Sequence, residues 1–395
     1  MEGNHKMPRP FFSLASPLTR AAACFAMMLL AGSILVNSIG CKNQASNGGG
    51  EGAQNSGDRK RIVFLTNGDD PFWDACRTGM DKAAEDLKIE DAGLSHNMDK
   101  GSEFKVELQV SKLEQYATQS DIAGVAISPV DASNRATAKA LNALRDQGVK
   151  VICVDSDMDR EKFRDSRFAY LGTDNKIGGE ELGKAARGIR PDGGTYATFV
   201  GVKTVANAIE RIGGFAVGAG DKFTSLDSLA DEGDENVAQE NVKAVLNNHE
   251  NVDVMVGIWA YNAHAIVRVV EERNISDKTG IVVFDAASLA LTDMSEGKID
   301  AMVVQNPYQM GFLSVKLLKA MIDDDGATIK ELYPSYDPET KTFTQADGDI
   351  LDTELRVVVP DEKSPLKKEL FRPDTHFFYF DDFKRWLDER RLVSS

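Results

Sequence analysis

Five short apolar runs in this chain each break off into carboxylates, amides or aromatic rings. Ile62 to Leu65 leads to Thr66, Asn67, Asp70, Phe72 and Trp73, and Val151 to Val154 leads to Asp155 and Asp157. Val254 to Ile258 leads to Trp259, Tyr261 and Asn262, Ile281 to Phe284 ends at Asp285, and Met302 to Val304 ends at Gln305 and Asn306. Carboxylates and amides take up hydroxyl groups by paired hydrogen bonds, and aromatic faces cover C–H surfaces, so the set suits a neutral, hydroxyl-rich ligand. In an open parallel α/β sheet, ligands bind beyond the carboxyl ends of the strands, which would gather these endings into one crevice.

Other chemistries find little support. Asp155-x-Asp157-x-Asp159 begins like a calcium loop, but Arg160 stands where Gly is needed and Ser166 where Glu is needed. No P-loop, HExxH, GxSxG or Cys-x-x-Cys pattern occurs, and the five His residues show no triad spacing. The reading is therefore of a non-enzyme without metal or cofactor. A net charge of −16 argues against nucleic acid as a partner.

The elements that would position these residues alternate strand and helix from Arg61 onward, which means parallel βαβ units and an α/β fold. After the first strand, Pro71 sits at a helix start, and Phe72, Cys76, Met80, Ala83 and Leu87 recur on one face. Within residues 91–121 the alternation of Phe104 to Val110 predicts a strand. A second set begins near Phe168, and two sets in 395 residues predict two similar lobes. Pro334 to Asp352 reads as a polar loop, Glu354 to Val359 as a returning strand, and Phe383 to Arg390 as a short helix packed on the surface of the second lobe.

The first forty residues read as a signal peptide. Lys6, Arg9 and Arg20 precede the uncharged stretch Ala21 to Val36, which is short for a membrane span. Ser38-Ile39-Gly40-Cys41 resembles a bacterial lipobox, with Ser38 where Leu is usual, and makes Cys41 the expected lipidation site; ordinary cleavage is the alternative. Lys42 to Lys60 is a Gly/Ser/Asn/Gln-rich tether. Cys76 and Cys153 read as buried small apolar residues and form no disulfide framework.

Six motifs in register resemble the periplasmic sugar-binding proteins of the ribose-binding, LacI-like type. They are Asp70-Pro71-Phe72-Trp73, Ile127-Ser128-Pro129-Val130-Asp131, Gly172-Thr173-Asp174-Asn175 with Gly178-Gly179, Glu210-Arg211-Ile212-x-Gly214-Phe215, and Phe284-Asp285. The resemblance, over residues 61–359, implies two Rossmann-like lobes with parallel sheets joined by a three-strand hinge, the periplasmic binding protein type 1 fold. It implies residues 61–172 plus 306–333 for the N-terminal lobe and 173–305 plus 354–395 for the C-terminal lobe with its extension, with 334–353 as the polar loop and 1–40 and 41–60 as leader and tether.

By position, the resemblance places Thr66, Asn67, Asp70, Phe72, Trp73 and Asp155 on the first side of a ligand pocket, and Asn207, Trp259, Asp285 and Gln305 on the second; Asp157 and Asn262 join the candidates as strand-end residues. Trp73 and Trp259 would sandwich a sugar ring. Plainer roles stay open: Asp70 and Asp285 as helix caps, Trp73 as core, Asp155 as a turn residue, Asn306 as a cap, and Arg211 as a structural salt bridge in preference to a ligand. Ser156, and Ile209 or an adjacent residue, stand where the ribose-type pattern has Arg, which argues against a pentose. The implied function is a monomeric, lipid-anchored, extracytoplasmic protein that delivers a monosaccharide or polyol to an ABC permease. A ligand sensor for a membrane kinase or chemoreceptor is the first alternative, and an exported carbohydrate-active enzyme the second.

Overall fold

Runs such as Val151–Val154 and Ile281–Phe284 show no polar alternation, as expected of strands covered on both faces in a parallel sheet. The computed structural model, which describes residues 59–395, buries both runs completely. The leader, Cys41 and the tether up to residue 58 lie outside the described residues.

The first half of the described chain runs β1 (Lys60–Leu65), α1 (Phe72–Asp86), β2 (Leu94–Asp99), α2 (Val106–Ala117), β3 (Ile122–Ile127), α3 (Arg135–Asp146), β4 (Lys150–Val154), β5 (Tyr170–Gly172), α4 (Asn175–Ile189), β6 (Gly194–Val200) and α5 (Ala206–Ala219). It continues with β7 (Phe223–Ala230), α6 (Glu235–Asn248), β8 (Val254–Gly257), α7 (Asn262–Glu272), β9 (Gly280–Phe284), α8 (Ser288–Ser295), β10 (Ala301–Val304) and α9 (Pro307–Ile322). The remainder is α10 (Gly326–Leu332), β11 (Tyr336–Asp337), β12 (Thr342–Phe343), β13 (Ile350–Asp352), β14 (Arg356–Val359), β15 (His376–Tyr379) and α11 (Phe380–Glu389).

Two sheets result. One has the order β13-β5-β4-β3-β1-β2 and is parallel throughout. The other has the order β15-β14-β10-β9-β8-β6-β7, and only the β10–β14 pairing is antiparallel. The chain passes between the sheets three times: after β5, after β10 and between β13 and β14. The last two crossings flank α9, which packs on α1 of the first sheet. At the third crossing the Thr353 amide donates to the Gly172 carbonyl at 2.6 Å, so two crossings are tied together.

Side-chain caps set several helix starts. Asn134, Asp174, Asp234 and Asn306 each accept from amides in the first turn of α3, α4, α6 and α9, and Pro307 opens α9 behind its cap. Cys76 and Cys153 are free thiols buried in the cores around the first sheet.

Three local expectations give way. Phe104 to Val110 is not a strand: the strand of that region is β2, and α2 begins at Val106. β2 is an edge strand of sequence LSHNMD, half-buried and too polar to show a pattern, while α2 buries only Gln109, Leu113 and Tyr116 along its length. Residues 334–353 are not a strandless loop, because β11 and β12 form a small hairpin and β13 extends the first sheet beside β5. The tail does more than lie on a surface: β15 adds an outer strand, and Leu392, Ser394 and Ser395 are buried.

Helices α4 and α5 meet backbone to backbone, which glycine alone permits. A Cβ added at Gly179 would overlap the Arg211 carbonyl oxygen, and one at Gly214 would overlap that of Lys176, whereas one at the neighbouring Gly213 meets nothing. Gly214→Ala is therefore expected to destabilise the protein by about 1–3 kcal/mol. Gly213→Ala, on the open side of the same helix, should be neutral or stabilising by up to about 1 kcal/mol. Urea denaturation of the two variants checks this, and equal midpoints would contradict the packing.

Candidate functional site

The carboxyl ends of the two sheets face one cavity. Its walls are Asn67, Asp70, Phe72, Trp73, Phe104, Asp155, Asn207, Arg211, Trp259, Ala260, Asp285 and Gln305.

Asp155 and Asp285 occupy matching places, each one residue beyond the end of a central strand, β4 and β9. Both have left-handed backbone, with φ of 68° and 65°. Asp tolerates this conformation better than most residues, but it persists only where the surroundings fix it. They do so here, since the Asp155 amide donates to Leu171 and the Asp285 amide to Val303. The turn swings each carboxylate into the cavity.

One guanidinium serves both. Arg211 on α5 lies 3.9 Å from Asp155 and 3.7 Å from Asp285, donates Nε–H to Asn175 at 2.9 Å and Nη1–H to the Ile258 carbonyl at 3.2 Å, and stacks on Phe284 at 3.9 Å. Its Nη2 is buried without a hydrogen-bond partner. Asp155 also accepts from Ser128 Oγ at 2.9 Å and Asn207 Nδ2 at 3.3 Å. Asp285 accepts from Gln305 Nε2 at 3.0 and 3.1 Å and from the Gln305 amide at 3.3 Å, leaving Gln305 Oε1 buried and unpartnered. Asp70 accepts from the Phe72 amide at 2.8 Å, so it braces the turn before α1, whose N-cap is Pro71, and lines the cavity at once.

Burial is the leading influence on all three carboxyls. It raises Asp285 to about 7 against the pull of Arg211 and Gln305, raises Asp70 to about 6 against the Phe72 amide, and raises Asp155 against Arg211, Ser128 and Asn207. The cavity wall thus carries three acids and one guanidinium, which pairs with two of them. Such a site disfavours an anion and welcomes hydroxyl donors.

The aromatic wall is a pair, Phe104 and Trp259, with centroids 5.2 Å apart and planes at 36°. Gly201 leaves room for the indole, and the Trp259 Nε1–H donates to Asn207 Oδ1 at 3.2 Å. Phe104 sits between Gly68 and Gly233, one from each side of the cavity. Trp73 also lines the cavity, packing at 5.5 Å on Phe64 in the core of the first sheet and edge-on to Phe72.

Of the twelve sequence candidates, nine line the cavity: Asn67, Asp70, Phe72, Trp73, Asp155, Asn207, Trp259, Asp285 and Gln305. Three do not. Thr66 accepts from the Gly101 amide and donates to the Gly68 carbonyl, shaping the loop behind Asn67. Asp157 is held by Arg167 and Arg160 on the far side of its turn. Asn262 accepts from the Trp259 amide at 3.1 Å and donates to Asp231 at 2.8 Å, orienting the Trp259 loop. Phe104, Arg211 and Ala260 are additions. Arg211, read from sequence as a salt-bridge residue, does bridge carboxylates, but it does so in the cavity wall. Asn207 and Arg211 are four residues apart on one helix and so share a face, which was the available signal. Phe104 precedes α2 in a stretch whose alternation pointed to a strand, and carried none.

The family model for the periplasmic binding protein domain matches residues 62–327. No curated protein sequence matches the chain closely. Similar solved structures include an ABC transporter solute-binding protein from Burkholderia graminis in complex with D-arabinose, at 22% identity and TM-score 0.65, covering 80% of this chain and 100% of that one. The glucose-galactose binding protein GanP from Geobacillus stearothermophilus is 22% identical at TM-score 0.62, covering 76% and 97%. An ABC transporter solute-binding protein from Agrobacterium vitis with bound D-fucose is 20% identical at TM-score 0.65, covering 78% and 98%. At these identities the structures share the fold.

A carboxyl whose folded-state value lies above its ordinary one stabilises the fold fully below the ordinary value, and that contribution is lost as pH rises through the folded value. For Asp285 the window runs from 3.8 to about 7. Asp285→Asn, which removes the titration, is expected to flatten the fall in ligand-free stability between about pH 4 and 7, by at most about 1.4 kcal/mol per pH unit. Thermal melts of the two proteins across that range decide it, and parallel curves would show that Asp285 is not desolvated.

Proposed function

The chain belongs to the periplasmic binding protein family, and from that premise we propose that it is an exported, lipid-anchored receptor that captures a neutral monosaccharide or polyol between two lobes and delivers it to an ABC permease. Membership assigns it a binding role and not a catalytic one. The observation that carries the choice of ligand is the lining of the cavity: three buried acids, a single guanidinium, three amides and aromatic rings. Similar folds have been captured with D-arabinose and D-fucose, which supports the same ligand class here.

In this reading Asp70, Asp155 and Asp285 accept hydroxyl protons. Asn67 and Asn207 offer amide groups, and the unpartnered Arg211 Nη2 and Gln305 Oε1 wait for a ligand acceptor and donor. Trp259 and Phe104 cover a C–H face of the ring. A ligand lacking a hydroxyl would strand a buried polar group at a cost of about 1–3 kcal/mol, which gives selectivity. The two lobes are residues 61–172 with 306–333 and residues 173–305 with 354–395, and because the walls come from both, ligand affinity is greatest for the closed arrangement. Acylation at Cys41 would hold the receptor at the membrane, near its permease.

The test is a tryptophan-fluorescence titration against neutral sugars, polyols, sugar phosphates and amino acids. At least one neutral sugar or polyol should saturate the signal and be recovered unchanged. Asp155→Ala and Trp259→Ala should each weaken it by about tenfold or more, about 1.4 kcal/mol per tenfold. Saturation by an anionic compound alone, or by nothing in the panel, would sink the reading. Cys41→Ser should move the protein from the membrane to the soluble envelope fraction; an unchanged distribution would remove the anchor from it.

A further inference from the structure

Two contacts from the end of the chain converge on one pocket residue. The main-chain oxygen of Gln305 accepts from Arg356 Nη1 at 3.1 Å and from Ser395 Oγ at 3.2 Å. Arg356 is buried, its guanidinium lying 4.0 Å above the Trp386 ring of α11, with Glu354 accepting from its Nη2 at 2.7 Å. Arg390 covers the same indole at 4.4 Å, so Trp386 is fixed between two guanidinium groups, and Phe383 stacks beside it.

Ser395 also pairs with the backbone next to the second pocket acid. Its amide donates to the Ala286 carbonyl at 3.0 Å, and its backbone oxygen accepts from the Ala286 amide at 2.7 Å. Ser394 Oγ reaches the Pro71 carbonyl, beside Asp70 and across the cleft, at 3.5 Å. Phe383, Leu387 and Leu392 anchor the segment in the core beneath the second sheet, while Val393 points outward.

We propose that residues 380–395 are a positioning element for the candidate ligand site: Trp386, through Arg356, and Ser395 fix the backbone at Gln305 and Ala286, and so hold the Gln305–Asp285 pair in the geometry that meets the ligand. Gln305 touches Asp285 through both its side chain and its amide, so a shift in its backbone moves all three hydrogen bonds that Asp285 accepts from it, along with the orphan Oε1. Left-handed backbone at Asp285 needs such support, and the paired Ala286–Ser395 amides supply it one residue away. The segment thus reaches the ligand through other residues and lines none of the cavity itself. The proposal rests on the solute-receptor reading for its effect on affinity, but its structural half does not.

The experiment compares wild type with Ser395→Ala, Ser395→Thr and Trp386→Leu by residue-resolved hydrogen exchange in the absence of ligand, by melting temperature, and by affinity for whichever sugar the wild type binds. Ser395→Ala and Trp386→Leu should speed exchange of the Gln305 amide by about tenfold or more while leaving β4 and α3 unchanged. They should weaken sugar binding by a similar factor, and Ser395→Thr, which keeps the hydroxyl, should restore both. A lower melting temperature with unchanged Gln305 exchange would mean a merely structural role and overturns the proposal. Should Trp386→Leu not fold, the Ser395 pair decides alone. If the wild type binds no sugar, the receptor reading fails, and the exchange measurement still decides whether the segment holds Gln305.

Discussion

The site depends on a shortage of positive charge. Asp155 at the end of one sheet and Asp285 at the end of the other share the Arg211 guanidinium at 3.9 and 3.7 Å, and Asp70 faces the same cavity with no cation among the described residues within ion-pair distance. At that separation an ion pair is worth about 4 kcal/mol at an effective dielectric constant of 20. Withdrawing each charge from water costs several kcal/mol, so one cation cannot compensate three buried carboxylates. The raised values of Asp70 and Asp285 express this deficit. Hydroxyl donors make it good without adding negative charge, and because the acids come from both lobes, a ligand that supplies them favours closure. Under that proposal, specificity for a neutral polyol and the closing motion share one electrostatic cause.

Much of the remaining structure reads as support for that arrangement. Two strand ends with left-handed backbone swing Asp155 and Asp285 inward. The glycine contact between α4 and α5 brings Arg211 within 2.9 Å of Asn175, which aims the guanidinium. Asn262, absent from the cavity wall, holds the Trp259 turn by its backbone. Large side chains of the cavity are thus fixed by groups that never meet its interior.

The sequence exposed the parts governed by local rules. Parallel strands buried on both faces are uninterrupted apolar runs, so β1, β4, β8, β9 and β10 and the polar residues at their ends could be read directly, and the resemblance added Asn207. What stayed hidden depends on tertiary placement. Thr66, Asp157 and Asn262 are as polar and as near strand ends as their neighbours, and only the turn of the backbone sends them away from the cavity. Phe104 belongs to no periodic element and joins Trp259 from about 155 residues away, a distance that no local rule spans. β2, β13 and β15 are edge or outer strands with few buried residues, and the tail's approach to Gln305 rests on Ser395, a residue type with no pattern to announce it.

Native mass spectrometry of the intact protein, offered a mixture of neutral, cationic and anionic small metabolites, tests the charge argument most directly. The account predicts that one neutral monosaccharide or polyol per chain is retained. Retention of a sugar phosphate or another anion, or of no member of the neutral class, would contradict it.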